Sequence, residues 1–468
     1  MLQKVVSLPP STAIVHFRNA ACRGDGDSGG KSKVRVKKVT SKYNEEISSD
    51  SDTESPVVPK KRQSKEENEY EETPQEKKLR LAKVYLDQLK EEEEKKAEDD
   101  SFETDLIAGR LQEEVLEQKG KLQRLIAKDV NASEIRVLRG HKLPITCLVI
   151  TSDDKYIFSA AKDCSIIKWD VESGKKLHTI PGGRKGTEDR HVGHTAHILC
   201  ISVSSDGKYL ATGDMNKLIM IWEGETCKHL YKFTGHKGPV SGLSFRKGTH
   251  DLYSASHDRS IKVWNVDENA YVETLFGHQD AITGLDSLSR ERCVTAGGRD
   301  RSVRVWKIAE ESQLVFHGHE GSIDCIQLIN EEHMITGADD GSVSLWSVNK
   351  KKPLSTVKQA HGCHGDAGIE QPHWVSSVAA LQNSDTVASG ASGSTPMDAL
   401  FCLTLFFFCQ CGFVNSLKFS SSGQFMVAGV GQEHRLGRWW RIKEAKNGIY
   451  VIPLKRKPPN PEEAKITE

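Results

Sequence analysis

The dipeptide Gly-His recurs at Gly140-His141, Gly193-His194, Gly235-His236, Gly277-His278 and Gly318-His319, with a degenerate copy at Ala360-His361. Successive copies lie 53, 42, 42, 41 and 42 residues apart. A period of this length makes each unit one small supersecondary structure that buries its faces by stacking on copies of itself. After each pair comes an apolar alternating run, a turn and a second run. Then Asp stands six residues before Trp: Asp163 and Trp169, Asp258 and Trp264, Asp300 and Trp306, Asp340 and Trp346. In the second unit Asn216 takes that place before Trp222. Four residues ahead of it stands Ser159, Thr212, Ser254 or Thr336; the fourth unit has Ala296 there, with Thr295 beside it.

This pattern resembles the WD-repeat family. The resemblance implies that His, Ser/Thr, Asp and Trp form one buried hydrogen-bond chain per blade. The members here are His141, Ser159, Asp163 and Trp169; His236, Ser254, Asp258 and Trp264; His278, Asp300 and Trp306; and His319, Thr336, Asp340 and Trp346. Such a network is stabilising only when every member is satisfied, which makes these residues structural. A Ser–His–Asp catalytic reading fails because the trio recurs in every unit. Short runs such as Tyr156-Ile157-Phe158 and Ile166-Ile167-Lys168-Trp169, separated by turn residues, read as strands. The expected fold is all-β: a seven-bladed β-propeller over 133–457, with a charged, partly helical N-terminal extension. The last blade is expected to begin near Gly412, with a second strand from Phe425 and a third carrying Trp439-Trp440. Ile135–Leu138 and Ile449–Ile452 both read as outer strands that could close the ring.

The sixth unit departs from the pattern. Trp374–Leu381 and Thr386–Gly390 read as its first two strands, but no Asp-to-Trp signature follows. The segment 391–411 instead holds Phe401-Cys402-Leu403-Thr404-Leu405-Phe406-Phe407-Phe408-Cys409, too hydrophobic for a loop. One reading is an altered splice product that replaces the outer strands; another is an insertion that binds a partner or membrane. The apolar run Ala399–Phe408 is too short to span a bilayer.

Ahead of the repeats, 65 basic and 65 acidic residues cancel over the whole chain but not locally. A basic block runs to Lys42 and an acidic one follows from Glu45 to Glu54, so 1–71 reads as a disordered tail, as does 458–468. Lys31–Lys38 and Lys60-Lys61-Arg62 fit nuclear import or RNA phosphates. Ser48, Ser49 and Ser51 precede acids and are candidate phosphorylation sites. Thr73-Pro74-Gln75-Glu76 reads as a helix start, opening a helical arm over 72–132. The eleven cysteines show no C-x-x-C pair, and most lie in apolar strands, so neither a metal site nor a cofactor is expected.

Two features bear on function. Lys162, Lys217, Arg259, Arg299 and Arg301 fall on loops between second and third strands, which emerge on one face of a propeller. The long first spacing adds an insertion with Arg184, Lys185 and Arg190. The terminal run Gly429-Val430-Gly431-Gln432-Glu433-His434-Arg435-Leu436-Gly437-Arg438-Trp439-Trp440-Arg441 is not generic to WD repeats. With Glu45–Ser51 and Gln75–Lys83, it is similar to the WD-repeat proteins of the U3 small nucleolar ribonucleoprotein. That resemblance implies a non-catalytic scaffold in the nucleolus that binds U3 small nucleolar RNA at its box B/C motif, beside a kink-turn-binding protein and other box C/D and processome proteins. It also implies a role in small-subunit processome assembly and pre-18S ribosomal RNA processing. Arg299, Arg301, Arg435 and Arg438 are the expected phosphate or stacking contacts, with an ion pair to Glu433 as the alternative for the last two. No membrane or small-molecule substrate is expected. The rival class is a protein-binding adaptor without RNA contact.

Overall fold

The computed structural model describes residues 134–184, 186, 191–364, 371–393 and 412–456, together with 80, 83, 111–112, 115–116, 124 and 130–132. Two compact units divide the chain, Met1–Gly109 and Arg110–Glu468. In the first, Arg80 and Lys83 are helical and exposed. The basic and acidic blocks, the candidate serines 48, 49 and 51 and the segment 394–411 lie outside the described residues.

In the second unit five four-stranded antiparallel sheets follow one another. Sheet one is Ile145–Ile150, Tyr156–Ala161, Ile166–Asp170 and Lys176–Ile180. The same order repeats in sheets two (from Ile198), three (from Val240), four (from Ile282) and five (from Ile323). The burial gradient explains the pattern of residues. Inner strands lie between neighbouring sheets and are buried on both faces, so they read as runs such as VSGLSF, all six of which are buried. Outer strands meet solvent; in Lys176–Ile180 four of five residues are exposed.

The core is accordingly a chain of clusters between neighbours. Cys147, Phe158 and Ile166 of sheet one pack with Ile198, Leu210 and Trp222 of sheet two. Leu138, Ile145 and Trp169 pack with Phe425, Val427 and Ile449, which joins the two ends of the array. Burial pushes the Cys147 and Cys325 thiols up to about 12, so these cysteines act as small apolar groups.

The sixth sheet departs from expectation. Seven separate blades were expected, but the described strands form six large sheets, the last of them seven-stranded. Val375–Ala380 and Val387–Gly393 form a hairpin. The end of that hairpin pairs directly with Gly412–Phe419, through Ser392 with Phe413 and Gly393 with Gly412. The sequence after this hairpin lacks the Asp-to-Trp signature, and among the described residues the end of its second strand pairs with the next repeat. Its body still packs face to face, Ala379 and Ala388 against Val414, Leu417 and Met426.

Ring closure uses both candidate strands, one outside the other. Gly448–Arg456 pairs with Phe425–Gly431 on its inner side. Its outer side takes Arg136–Leu138 and also Val130–Ala132. The expected helical arm therefore turns to strand at 130. Within it Leu111, Gln112, Val115 and Leu116 are helical, and Val115 and Leu116 are exposed. The third strand of the last repeat does not carry Trp439-Trp440: it starts at Gly448, and both tryptophans lie in the loop before it. Among the described residues no helix is long and apolar enough to cross a membrane, and no group of His, Cys, Asp or Glu is placed to hold a metal ion.

Candidate nucleic-acid interface

The loops that could form an interface are held by the expected quartets. In sheet three His236 Nε2 lies 2.8 Å from Ser254 Oγ, which also accepts the Trp264 indole N–H at 2.8 Å. His236 Nδ1 meets Asp258 at 3.0 Å, and Asp258 in turn accepts the backbone N–H of Lys237 and of Ser260. The Asp thus ties the Gly-His loop to the hairpin turn. Sheet one repeats this with Ser165 Oγ between His141 and Asp163, and its indole, Trp169, donates to Ser159. In sheet five His319 Nδ1 meets Ser342 rather than Asp340; His319 Nε2 and the Trp346 indole converge on Thr336. Burial alone would raise Asp163, Asp258 and Asp300, but hydrogen bonds from the histidine and the turn serine hold all three carboxyls well below their usual range.

Two quartet members escaped the spacing rule. In sheet two the carboxylate is Asp214, 2.9 Å from His194, not the residue at 216. It stands two positions early and still caps the turn by accepting the N–H of Leu218. In sheet four the hydroxyl is Thr295: it lies 2.7 Å from His278 and accepts from Trp306. The degenerate sixth repeat keeps the histidine–hydroxyl contact, His361 Nε2 against Ser389 Oγ at 2.9 Å.

These turns present cations. Lys217, Arg259 and Arg301 occupy equivalent positions in left-handed backbone, with φ of 72°, 70° and 54°, and all three are exposed. Each residue sits directly after the Asp or Asn of its turn. Arg299 and Arg184 are also exposed, and Arg301 donates to the Glu320 carbonyl at 3.2 Å. Lys185 and Arg190 lie outside the described residues.

Lys162 is a correction. It is 3% exposed, with its ammonium 3.3 Å from Glu433 and donating to the Gly437 carbonyl at 3.0 Å. Burial pulls it below its ordinary value while Glu433 opposes. It anchors the terminal loop rather than facing solvent.

That loop follows Phe425–Gly431 and therefore emerges on the same face as the other second-to-third turns. Arg435 enters the centre of the ring. Its backbone N–H donates to Asn415, and its guanidinium donates to the carbonyls of Thr283 (3.2 Å) and Asp324 (2.6 Å), on the innermost strands of sheets four and five. The expected surface contact is thus an internal tie. Arg438 realises the ion pair weighed for it, Nε to Glu433 at 3.1 Å, yet its side chain is 65% exposed. Arg441 approaches the same carboxylate at 3.9 Å. A cavity of about 240 Å³ opens beside the loop, lined by Lys162, His197, Met215, His257, Arg435 and Arg438. Sequence reasoning missed the aromatic side of this loop: Trp439 is 56% exposed.

A circular array of hairpin-built sheets, five of them carrying a His–Ser/Thr–Trp bond chain, defines a WD-repeat protein, and the WD domain, G-beta repeat family matches residues 132–170, 187–223, 227–265, 269–307 and 310–347. The chain is 66% identical over 405 residues to human "U3 small nucleolar RNA-interacting protein 2", covering 84% of each. It is 62% identical over 457 residues to the mouse protein of that name, covering 95% of this chain and 93% of the mouse one. A solved structure titled "Crystal structure of RRP9 WD40 repeats" matches with a TM-score of 0.65 and 64% identity, covering 70% of this chain and 99% of that one. The chain belongs to the U3 small nucleolar RNA-interacting protein 2 family.

Proposed function

We propose that this chain is a non-catalytic scaffold that grips a folded RNA, the U3 small nucleolar RNA, within a nucleolar ribonucleoprotein that processes pre-ribosomal RNA. The observation that carries the reading is the set of exposed cations on one rim: Lys217, Arg259 and Arg301 at equivalent turns, with Arg299, Arg438 and Arg441 beside them. Its second support is the name of the human and mouse relatives. Side chains cannot read the deep, narrow major groove of an RNA helix, so backbone charge and shape carry such recognition. On this reading the box B/C element meets the cationic rim beside a kink-turn-binding protein, and the arm ahead of the ring contacts processome proteins. Lys162 and Arg435 hold the loop from within and do not touch RNA. The hairpin Val375–Gly393 and the repeat from Gly412 act as the sixth and seventh blades of a seven-fold ring that share one sheet edge. The recurrence of His, Ser/Thr and Asp in the first five repeats fits a framework role and no catalytic one.

A salt titration of the purified full chain against U3 small nucleolar RNA tests the proposal. Log affinity falls linearly with log salt, with a slope of roughly −0.7 to −0.9 for each phosphate neutralised. A flat response, or no binding, would favour the protein-binding adaptor instead.

A further inference from the structure

The loop that carries Arg438 also builds an aromatic shelf that its anchoring role does not require. His434 is 3% exposed and held neutral: burial, then Arg435 and Lys162, push its imidazole down to about 3. As a neutral ring it packs between Trp374 (6.5 Å, interplanar 88°), Phe413 (6.1 Å, 68°) and Trp439 (5.3 Å, 43°). Its Nδ1 accepts the backbone N–H of Leu436, so the proton sits on Nε2, which is buried and has no hydrogen-bond partner among the described residues. Trp439 leans on Trp374 as well, at 6.2 Å and 49°. Gly437 completes the support, since a Cβ there would collide with the Trp439 ring.

Trp439 is therefore fixed on one side by His434, Trp374 and the Gly437 backbone, while 56% of it faces solvent. Tryptophan, with an apolar π-face and one polar edge, is enriched at interfaces, and this fixed, half-open ring presents a flat π-face to solvent. The charge around it indicates what. Lys162, Arg438 and Arg441 share the single carboxylate of Glu433, which leaves an excess of positive charge beside the ring. The Arg438 and Arg441 side chains are 65% and 58% exposed. Single-stranded nucleic-acid sites pair aromatic side chains with positive charge along the backbone, and a nucleotide offers a π-face to the ring and a phosphate to the guanidinium.

We infer that Trp439, flanked by Arg438 and Arg441, is a stacking platform for one unpaired base of the bound RNA. This deepens the RNA reading above and rests on it. It adds a contact to single-stranded nucleotides that charge on the rim does not supply.

The test uses the full chain with two RNA probes of equal length: a stem-loop with unpaired bases and a fully paired duplex. Trp439→Ala is expected to weaken stem-loop binding about 5- to 100-fold, the range of one lost base–aromatic stack. Duplex affinity and the salt slope stay as in the parent. Trp439→Phe keeps a ring in the same support and retains most of the affinity, but loses the quenching of tryptophan emission that the stem-loop causes in the parent. Unchanged stem-loop affinity in Trp439→Ala, equal losses for both probes, or undiminished quenching in Trp439→Phe overturns the platform. Should stem-loop binding stay steeply salt-dependent in those cases, the cationic rim survives and only the stacking fails. If the parent binds neither probe, both readings fall. Should Trp439→Ala misfold, the quenching comparison with Trp439→Phe decides alone.

Discussion

Within each quartet the hydroxyl is the shared point: it accepts the indole N–H and meets the histidine, so its loss strands two buried groups at once. Thr295→Ala removes the partner of both His278 Nε2 and Trp306 Nε1. With each buried orphan costing about 1–3 kcal/mol, urea unfolding of this variant is expected to show a loss of about 3 kcal/mol. His434 gives a pH prediction of opposite kind. Its folded pKa is pushed down to about 3, chiefly by burial, whereas an unfolded histidine titrates near about 6.5. The stability it supports is complete above the unfolded value and declines as pH falls towards the folded one. His434→Phe is expected to flatten the fall in melting midpoint between pH 6.5 and about 4. The depressed Asp163, Asp258 and Asp300 act lower still, their contribution being lost as pH falls below the usual carboxylate range. Most quartet residues were legible in the sequence because a hydrogen-bond chain repeats with its strands. Asp214 was not, because a fixed spacing cannot see that a carboxylate two positions early reaches the same histidine. Lys162 and Arg435 were misplaced for a related reason: a cation reads as exposed until its buried partner, Glu433 or a strand carbonyl across the ring, is known.

At the scale of elements, both candidate closing strands could be read from sequence but their order could not, since each is a short apolar run of the same type. In the fold the C-terminal strand Gly448–Arg456 lies inside and Arg136–Leu138 outside. Truncation before Arg139 would uncover Ile449 and Val451, both at most 1% exposed. Such a chain is expected to unfold at lower urea and to associate through the bared edge, which light scattering reads directly. An unchanged midpoint with a monomeric chain would show that the outer strand does not hold the ring. The sixth sheet departs from the repeat rule at the point where the sequence drops its Asp-to-Trp signature, and there, among the described residues, Gly393 pairs onward to Gly412.

For the molecule as a whole, zero formal net charge hides how the charges are distributed. Cations sit on the rim turns, while Arg435 crosses the centre to sheets four and five. Asp324, on the strand that receives it, is raised to about 6 by burial, with the nearby guanidinium opposing. A carboxyl raised on folding contributes stability that is present at low pH and lost as pH climbs through that value. Asp324→Asn is therefore expected to narrow the difference in melting midpoint between pH 5 and pH 8, measured by calorimetry; an unchanged difference would mean that Asp324 is not protonated in the fold.

The nesting of the terminal strands also bears on how the protein is made. Arg136–Leu138 leaves the ribosome before any repeat, yet among the described residues its mate is Gly448–Arg456, the last strand in chain order. Every sheet can form in turn as it emerges, but the circle has to stay open until Gly448–Arg456 has been made, with Ile145 and Leu148 waiting for Val427 and Val451 to cover them. Contacts so far apart in sequence form slowly. The nascent chain thus spends that interval with one sticky flank uncovered, which makes it the stage at which a chaperone would serve the protein most.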